Sequence, residues 1–315
     1  MRMGESLKKI ELTDIEQLWG FKATTRFAKK FSELNLNYSE LSDMDRDEAI
    51  LKFIETLDSN LIKAGPHRAD DWEMGWGENL KDYDESRDLK DSLPKYFGKI
   101  PYIRWKQEWI LPEQKDMEYN LLGLLLEYII DNYFLENDSI YEFGCGTGHN
   151  LLRIRNVFQT AYLHGLDWAK SSQGIIKQIA LDTSDDLLEA TNFDYFNPDT
   201  NFKLRKNAVV LTVASLEQTG NEFKEFIDYV VTQSPRLVVH IEPMWEPLDP
   251  EHLLDNLSIR YFKKRNYLNG LIRYLEQKEQ NKEVKITEVK RTYVGSFFID
   301  GYSIVIWAPA QVSGF

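Results

Sequence analysis

Tyr141-Glu142-Phe143-Gly144-Cys145-Gly146-Thr147-Gly148-His149-Asn150 is the stretch on which the reading of this chain turns. A short apolar run, 139–143, enters it, and glycines at alternate positions then break the run. Glycine has no Cβ, so it permits tight turns and lets a ligand approach the backbone closely. Three nucleotide-type loops compete for such a sequence. A phosphate-cradling loop needs Lys and Ser/Thr after its last glycine, whereas Gly148 is followed by His149 and Asn150. A dinucleotide loop places its third glycine three positions after the second, and here the gap is two. Glu142 stands two residues ahead of Gly144. A carboxylate there repels a pyrophosphate and attracts a cationic ligand.

Working outward, strands and helices alternate after the loop. The spans 161–166, 187–192, 208–213 and 237–241 read as strands, and 172–181 as a helix. Phe223, Phe226, Ile227 and Val230 share a face of another. Upstream, 121–130 is dense in apolar residues and reads as a buried helix. This alternation predicts an α/β fold with a parallel sheet covered on both faces. A long helix is expected over 250–280, then 284–291 and 302–307 as an antiparallel closing pair. Before residue 117 the rhythm differs, which divides the chain into a helical N-terminal extension, 1–116, and an α/β domain, 117–315. Thr13 with Glu16, and Ser42, read as helix caps. The span 65–100, punctuated by Pro66, Gly75, Gly77, Pro94 and Gly98, reads as a long loop. With Trp72 and Trp76 in it, this loop is expected to cover a substrate pocket.

The pattern Glu-x-Gly-x-Gly-x-Gly resembles the first signature motif of class I S-adenosylmethionine-dependent methyltransferases, over roughly residues 117–309. The resemblance implies a Rossmann-like sheet with an antiparallel final strand, and S-adenosyl-L-methionine as cofactor, whose ammonium and sulfonium suit Glu142. It implies that Glu142 orients the network around the methionine part, while Gly144, Gly146 and Gly148 shape the floor beneath the cofactor. Asp167, closing the second strand, would accept from the ribose hydroxyls. Asp194, after the third, would accept from the adenine amine, with Phe193 or Tyr195 on the base. Asp182 or Asp186 would replace Asp194 if the third strand lay elsewhere.

Methyl transfer to a hydroxyl needs alignment and removal of a proton. His240, at the end of the fifth strand, and Glu217, after the fourth, are the candidate catalytic residues. The plain alternatives are a core histidine and a helix N-terminal carboxylate. The Asn/Asp-Pro-Pro-aromatic tetrad of amino-methyltransferases is missing after the fourth strand, as are the acids of metal-assisted enzymes, so no metal is expected. Cys145, the single cysteine, reads as a packing residue. The net charge of −13 argues against a nucleic-acid partner. No apolar run reaches membrane-spanning length, so no membrane partner and a cytoplasmic location are expected. Locally, Arg260, Lys263, Lys264 and Arg265 form a basic segment that suits an anionic acceptor or a solvated helix face. Leu216-Glu217-Gln218, His240-Ile241-Glu242-Pro243 and the basic segment are similar to bacterial sugar O-methyltransferases of surface-polysaccharide gene clusters. The expected function is therefore O-methyl transfer to a small or glycan-type acceptor. N-methylation of a metabolite or peptide, and a non-catalytic binding subunit, are the alternatives.

Overall fold

A run such as Ala208–Val213, apolar at nearly every position, is stable only when both of its faces are covered. The computed structural model, which describes residues 7–310, places it at the centre of a sheet. In chain order the first part contains β1 (Lys8–Lys9), α1 (Leu12–Trp19), α2 (Thr25–Ser32), β2 (Asn37–Glu40), α3 (Asp43–Asp58), α4 (Ala69–Ser86), β3 (Ile103–Trp105) and β4 (Glu108–Pro112). Then come α5 (Met117–Tyr133), β5 (Ser139–Phe143), α6 (His149–Arg155), β6 (Tyr162–Asp167), α7 (Lys170–Thr183), β7 (Leu188–Asn192) and β8 (Ala208–Val213). The last part comprises α8 (Lys224–Gln233), β9 (Leu237–Pro243), α9 (Leu253–Arg265), α10 (Leu271–Gln280), β10 (Val284–Lys290), β11 (Val294–Ser296) and β12 (Tyr302–Pro309).

The main sheet has the order β10-β12-β9-β8-β5-β6-β7. Strands β9, β8, β5, β6 and β7 pair in parallel, and β12 runs antiparallel to both of its neighbours. The fold is thus a Rossmann-like α/β sheet with an antiparallel final strand, as expected. Alternate residues feed two cores. Val209, Leu211, Val239 and Ile304 join α5 and the N-terminal helices on one face, while Val210, Val238 and Val305 join α8 and α10 on the other. No helix among the described residues is long and apolar enough to cross a membrane.

Four expectations need correction. The N-terminal segment is not only helical: β1 to β4 pair with β11 in a second sheet ordered β1-β2-β4-β3-β11. These strands have two to five residues, too few to show a period of two. The expected loop 65–100 contains the helix α4. Trp76, Asn79 and Tyr83 bury one of its faces, and a Cβ on Gly75 or Gly77 would meet nothing within 4 Å. Those glycines sit harmlessly in open space, and packing outweighs their poor propensity of roughly 1 kcal/mol each. The helix expected over 250–280 is two helices, broken where Asn266 (φ 54°) and Gly270 (φ 91°) turn left-handed. Ser42 does cap α3, accepting from the Asp45 N–H, but the capping box of α1 is Glu11 with Asp14, two residues earlier than Thr13 with Glu16.

A buried ionic cluster ties the two sheets together. Arg104 on β3 is fully buried and donates to the Leu254 carbonyl at 2.7 Å, the Ser258 hydroxyl at 3.1 Å and the Gln107 carbonyl at 3.0 Å. Its Nη1 lies 3.9 Å from Asp300, which also accepts from Arg291 at 2.9 Å. Arg291 in turn donates to Asp255 at 2.8 Å. Removing one member leaves its counter-charge stranded. Arg104→Leu should lower the unfolding free energy by about 3–5 kcal/mol in urea titrations. An unchanged midpoint and slope would show that the cluster adds nothing to the fold.

Candidate functional site

The carboxyl ends of β5, β6, β8 and β9 open onto one side of the sheet, and the loops after them build the site. Gly144, Gly146 and Gly148 all take positive φ, at 67°, 52° and 75°. Each is also crowded. An added Cβ would lie 2.4 Å from Ser215 Cβ at Gly144, 2.9 Å from the Trp76 ring at Gly146, and 2.8 Å from Ile176 at Gly148. Side chains are therefore excluded at all three by conformation and by space. Gly144 and Gly146 line a cavity, whereas Gly148 serves as the N-cap of α6.

Glu142, fully buried at the end of β5, accepts from the Asn150 side chain at 2.7 Å with Oε1, while Oε2 has no hydrogen-bond partner. Burial pushes this carboxyl up to about 8. Asp167, ending β6, accepts from the Gly146 N–H and the Ala169 N–H, both at 2.9 Å, and burial pushes it up to about 6. It thereby pins the glycine loop to the next strand's turn. After β8, Ala214 takes a positive φ of 46°, rare for a residue with a Cβ and costly unless its surroundings enforce it. That turn aims the N–H groups of Ser215, Leu216 and Glu217 at the Glu242 carboxylate, at 3.0, 3.1 and 3.2 Å. Glu217 is buried, with Oε1 accepting from the Gln218 amide at 2.9 Å and Oε2 unpaired. Burial raises both the Glu217 and Glu242 carboxyls, which face each other.

Two adjoining cavities lie here. A narrow one of about 60 Å³ is walled by Asp167, Trp168, Phe193, Tyr195 and Phe196. A larger one of about 360 Å³ is walled by Glu142, Glu217, Glu118, Arg68 and Arg265, among others. Trp72, Trp76, Gly144, Ala214 and Gln218 line both. The cover is α4, and it is docked: the Glu73 carboxylate accepts from the Lys170 N–H at 2.6 Å and the Ser171 N–H at 3.2 Å, capping α7.

The sequence-derived residues divide accordingly. Glu142, Gly144, Gly146, Asp167 and Glu217 come together at the cavities. His240 does not. It is fully buried inside the sheet, with Nδ1 2.9 Å from the Thr212 hydroxyl and Nε2 accepting from the Trp307 indole at 3.0 Å. An indole N–H can only donate, so the proton of the neutral ring sits on Nδ1 and no nitrogen is free to take another. Burial pushes the ring down to about 3. His240 is thus a satisfied core histidine and not the general base expected from its place at the strand end. Asp194 lies outside both cavities, its carboxylate holding a turn through the Phe196 N–H at 2.8 Å and the Asn197 amide at 3.0 Å. Its adenine role is not supported by that placement; it positions Phe196 instead. Cys145 is buried and its thiol is pushed up, as suits a packing residue.

Several site residues gave no sequence signal. Glu118, at the start of α5, accepts from the Tyr302 hydroxyl at 2.7 Å and is pushed up by burial to about 7. Arg68 and Tyr302 reach the cavity from distant segments, which no local motif announces. Glu242 had one usable signal, since it closes the fifth strand two residues beyond His240. Among the described residues, no group of three or more His, Cys, Asp or Glu is arranged to hold a metal ion.

No protein-family model and no curated protein matches this sequence. Solved structures similar in general chain course include a geranyl diphosphate methyltransferase in complex with GPP and sinefungin, at 14% identity over 77% of this chain and 98% of that one (TM-score 0.44). The magnesium protoporphyrin IX methyltransferase from Synechocystis PCC 6803 with bound SAH is 13% identical over 61% of this chain and 82% of its own (TM-score 0.43). A plantazolicin methyltransferase in complex with a pentazolic desmethyl analogue and SAH is 11% identical over 78% and 98% (TM-score 0.43).

The raised carboxyls set a pH dependence. Glu142, at about 8, and Glu118, at about 7, hold their protons in the folded chain where an unfolded glutamate, near 4.5, has lost its own. The stability they contribute is full below pH 4.5 and is lost as the pH rises towards 8. His149 and His240, each pushed down to about 3, oppose this only where the unfolded chain begins to protonate, near 6.5. Thermal unfolding followed by circular dichroism should therefore give a higher midpoint at about pH 7 than at about pH 8. Glu142→Gln should flatten that difference. A midpoint that drops on acidification across this interval would contradict the assignment.

Proposed function

We propose that this protein transfers a methyl group from S-adenosylmethionine to a hydroxyl of a small acceptor. The observation that carries the reading is the unpaired Oε2 of buried Glu142, set at a glycine loop whose Cβ positions are all filled. An apolar occupant leaves that oxygen without a partner. A cationic group satisfies it and holds the carboxyl ionised. The donor set fits the cofactor that the sequence resemblance implied. Glu142 and the Gly144–Gly146 backbone would hold its methionine end, and Asp167 its ribose. Phe193, Tyr195 and Phe196 would enclose its base. When bound, the cofactor supplies an electrophilic methyl group on a sulfonium.

The chain's own groups then do the rest. Trp72 and Trp76 on the docked helix α4 exclude water from above. Glu217 takes the general-base role. Its Oε2 is unpaired, it lines the larger cavity, and burial raises its basicity. Glu242 beside it is pushed well up by burial and by the Glu217 charge it faces, so Glu242 keeps the proton of the pair and Glu217 is left as the carboxylate that can accept another. As the acceptor oxygen takes the methyl carbon and the sulfonium–methyl bond breaks to leave the neutral thioether S-adenosylhomocysteine, the Glu217 carboxylate would accept the hydroxyl proton.

Asp167→Ala should weaken S-adenosylhomocysteine binding tenfold or more by calorimetry, because a charged acceptor is worth roughly 1.5–3 kcal/mol. Unchanged affinity would remove the ribose assignment. Binding of S-adenosylmethionine near pH 7 should also release a proton from Glu142, visible as a dependence of the apparent enthalpy on the buffer's ionisation heat. Glu217→Gln should cut turnover by about 10² to 10⁴ while cofactor affinity stays the same. The acidic limb of the rate profile should persist in His240→Gln and vanish in Glu217→Gln; the reverse pattern would overturn the choice of base.

A further inference from the structure

Two arginines from opposite ends of the chain meet in the larger cavity. Arg68 lies in the 3₁₀ turn Pro66–Arg68 before α4, and Arg265 ends α9. Both line the cavity, together with Lys99. Their charges converge on the Tyr261 hydroxyl, which both hold down from the value that burial alone would give. Arg68 spends Nε on Asp71 at 2.6 Å and stacks on Trp72 at 5.7 Å, yet its buried Nη1 has no partner. Arg265 donates one Nη2 bond to the Tyr267 hydroxyl at 3.3 Å, and its buried Nε is likewise unpaired. An orphaned guanidinium nitrogen away from water costs free energy unless a ligand completes it.

We propose that Arg68 and Arg265, with Tyr261 and Tyr267, form a subsite for an oxyanion group of the acceptor, a phosphate or a carboxylate. The planar guanidinium fork is the donor best shaped for either group. The wider chain argues for a built site and not for a general field. At −13 it repels anions at long range, so only a local pair of desolvated cations can hold one. The same cavity carries Glu118, Glu142 and Glu217. An acceptor with an anionic end and a neutral hydroxyl end therefore has one orientation available, with the anion at the arginines and the hydroxyl towards Glu217. This inference rests on the methyl-transfer reading only for the name "acceptor"; the anion subsite stands by its own residues.

The test uses the whole protein with inorganic phosphate and malonate as probes, read by tryptophan fluorescence through Trp72 at constant ionic strength. Saturable binding of either probe is expected, phosphate naming a phosphoryl group and malonate a carboxylate. Arg68→Gln/Arg265→Gln should weaken it tenfold or more, and Arg68→Lys/Arg265→Lys should recover part of the loss. The double glutamine variant should bind S-adenosylhomocysteine as the parent does, which shows that it is folded. Absence of saturation by both probes in the parent, or equal binding by the glutamine variant, would overturn the subsite. Failure of the parent to bind S-adenosylhomocysteine would instead overturn the methyl-transfer reading and leave the anion result to stand.

Discussion

The Arg104 guanidinium, with no exposed surface, is the point through which the outer parts of this molecule are held in register. Burial lowers it only to about 10, so it stays charged at neutral pH and requires counter-charge nearby. Asp300, Asp255 and Arg291 complete a cluster of two cations and two anions, net neutral, as a desolvated group of charges must be. Each member belongs to a different element. Arg104 is on β3, Asp255 on α9, Arg291 follows β10, and Asp300 precedes β12. Those elements carry the walls of the larger cavity. Tyr261 and Arg265 extend from α9, and Phe297, Phe298 and Ile299 lead directly into Asp300. A hydrophobic contact at this place tolerates sliding. A set of directed ionic bonds fixes angle and distance together.

On the sheet side, positioning is by backbone donors. Asp167 collects two N–H groups and Glu242 three, so the loops after β5, β6 and β8 are drawn onto fixed carboxylates. The site thus gathers acids with different states of satisfaction. Asp167 and Glu242 are well supplied by the chain, while Glu142 and Glu217 each keep one oxygen without a partner. The first pair builds the walls, and the second is left for what enters.

The glycine loop, the strands that follow it and the antiparallel finish were legible because they depend on local sequence. Gly144 and Gly146 need positive φ, and Ala208–Val213 needs cover on both faces, whatever the rest of the chain does. Asp167 was legible for the same reason, as the acid closing a strand. His240 shows where this stops. Its place on β9 was evident, but the Trp307 bond that fixes its tautomer comes from a strand 67 residues away. Helix α4 was hidden because Gly75 and Gly77 mimic a loop, and only the burial of Trp76 and Tyr83 against other segments reverses that. Arg68 and Glu118 were invisible as site residues since each reaches the cavity through tertiary packing alone.

The strand order has a consequence for how the chain is made. β12 lies between β9 and β10 and is the sheet partner of both. β10 therefore emerges from a ribosome with no neighbour to bond, and waits until residues 302–309 have followed it out. β3 pairs with β4 at once, but its other edge waits longer, since its second partner β11 follows some 190 positions later, as does the counter-charge of Arg104. The N-terminal sheet cannot take up its fifth strand, nor its ionic anchor form, until residues 294–300 have been translated. The joining of the two sheets is on this account a late event, and the nascent chain carries the open edges of β3 and β10 until then, the condition in which pairing with a wrong partner is most open.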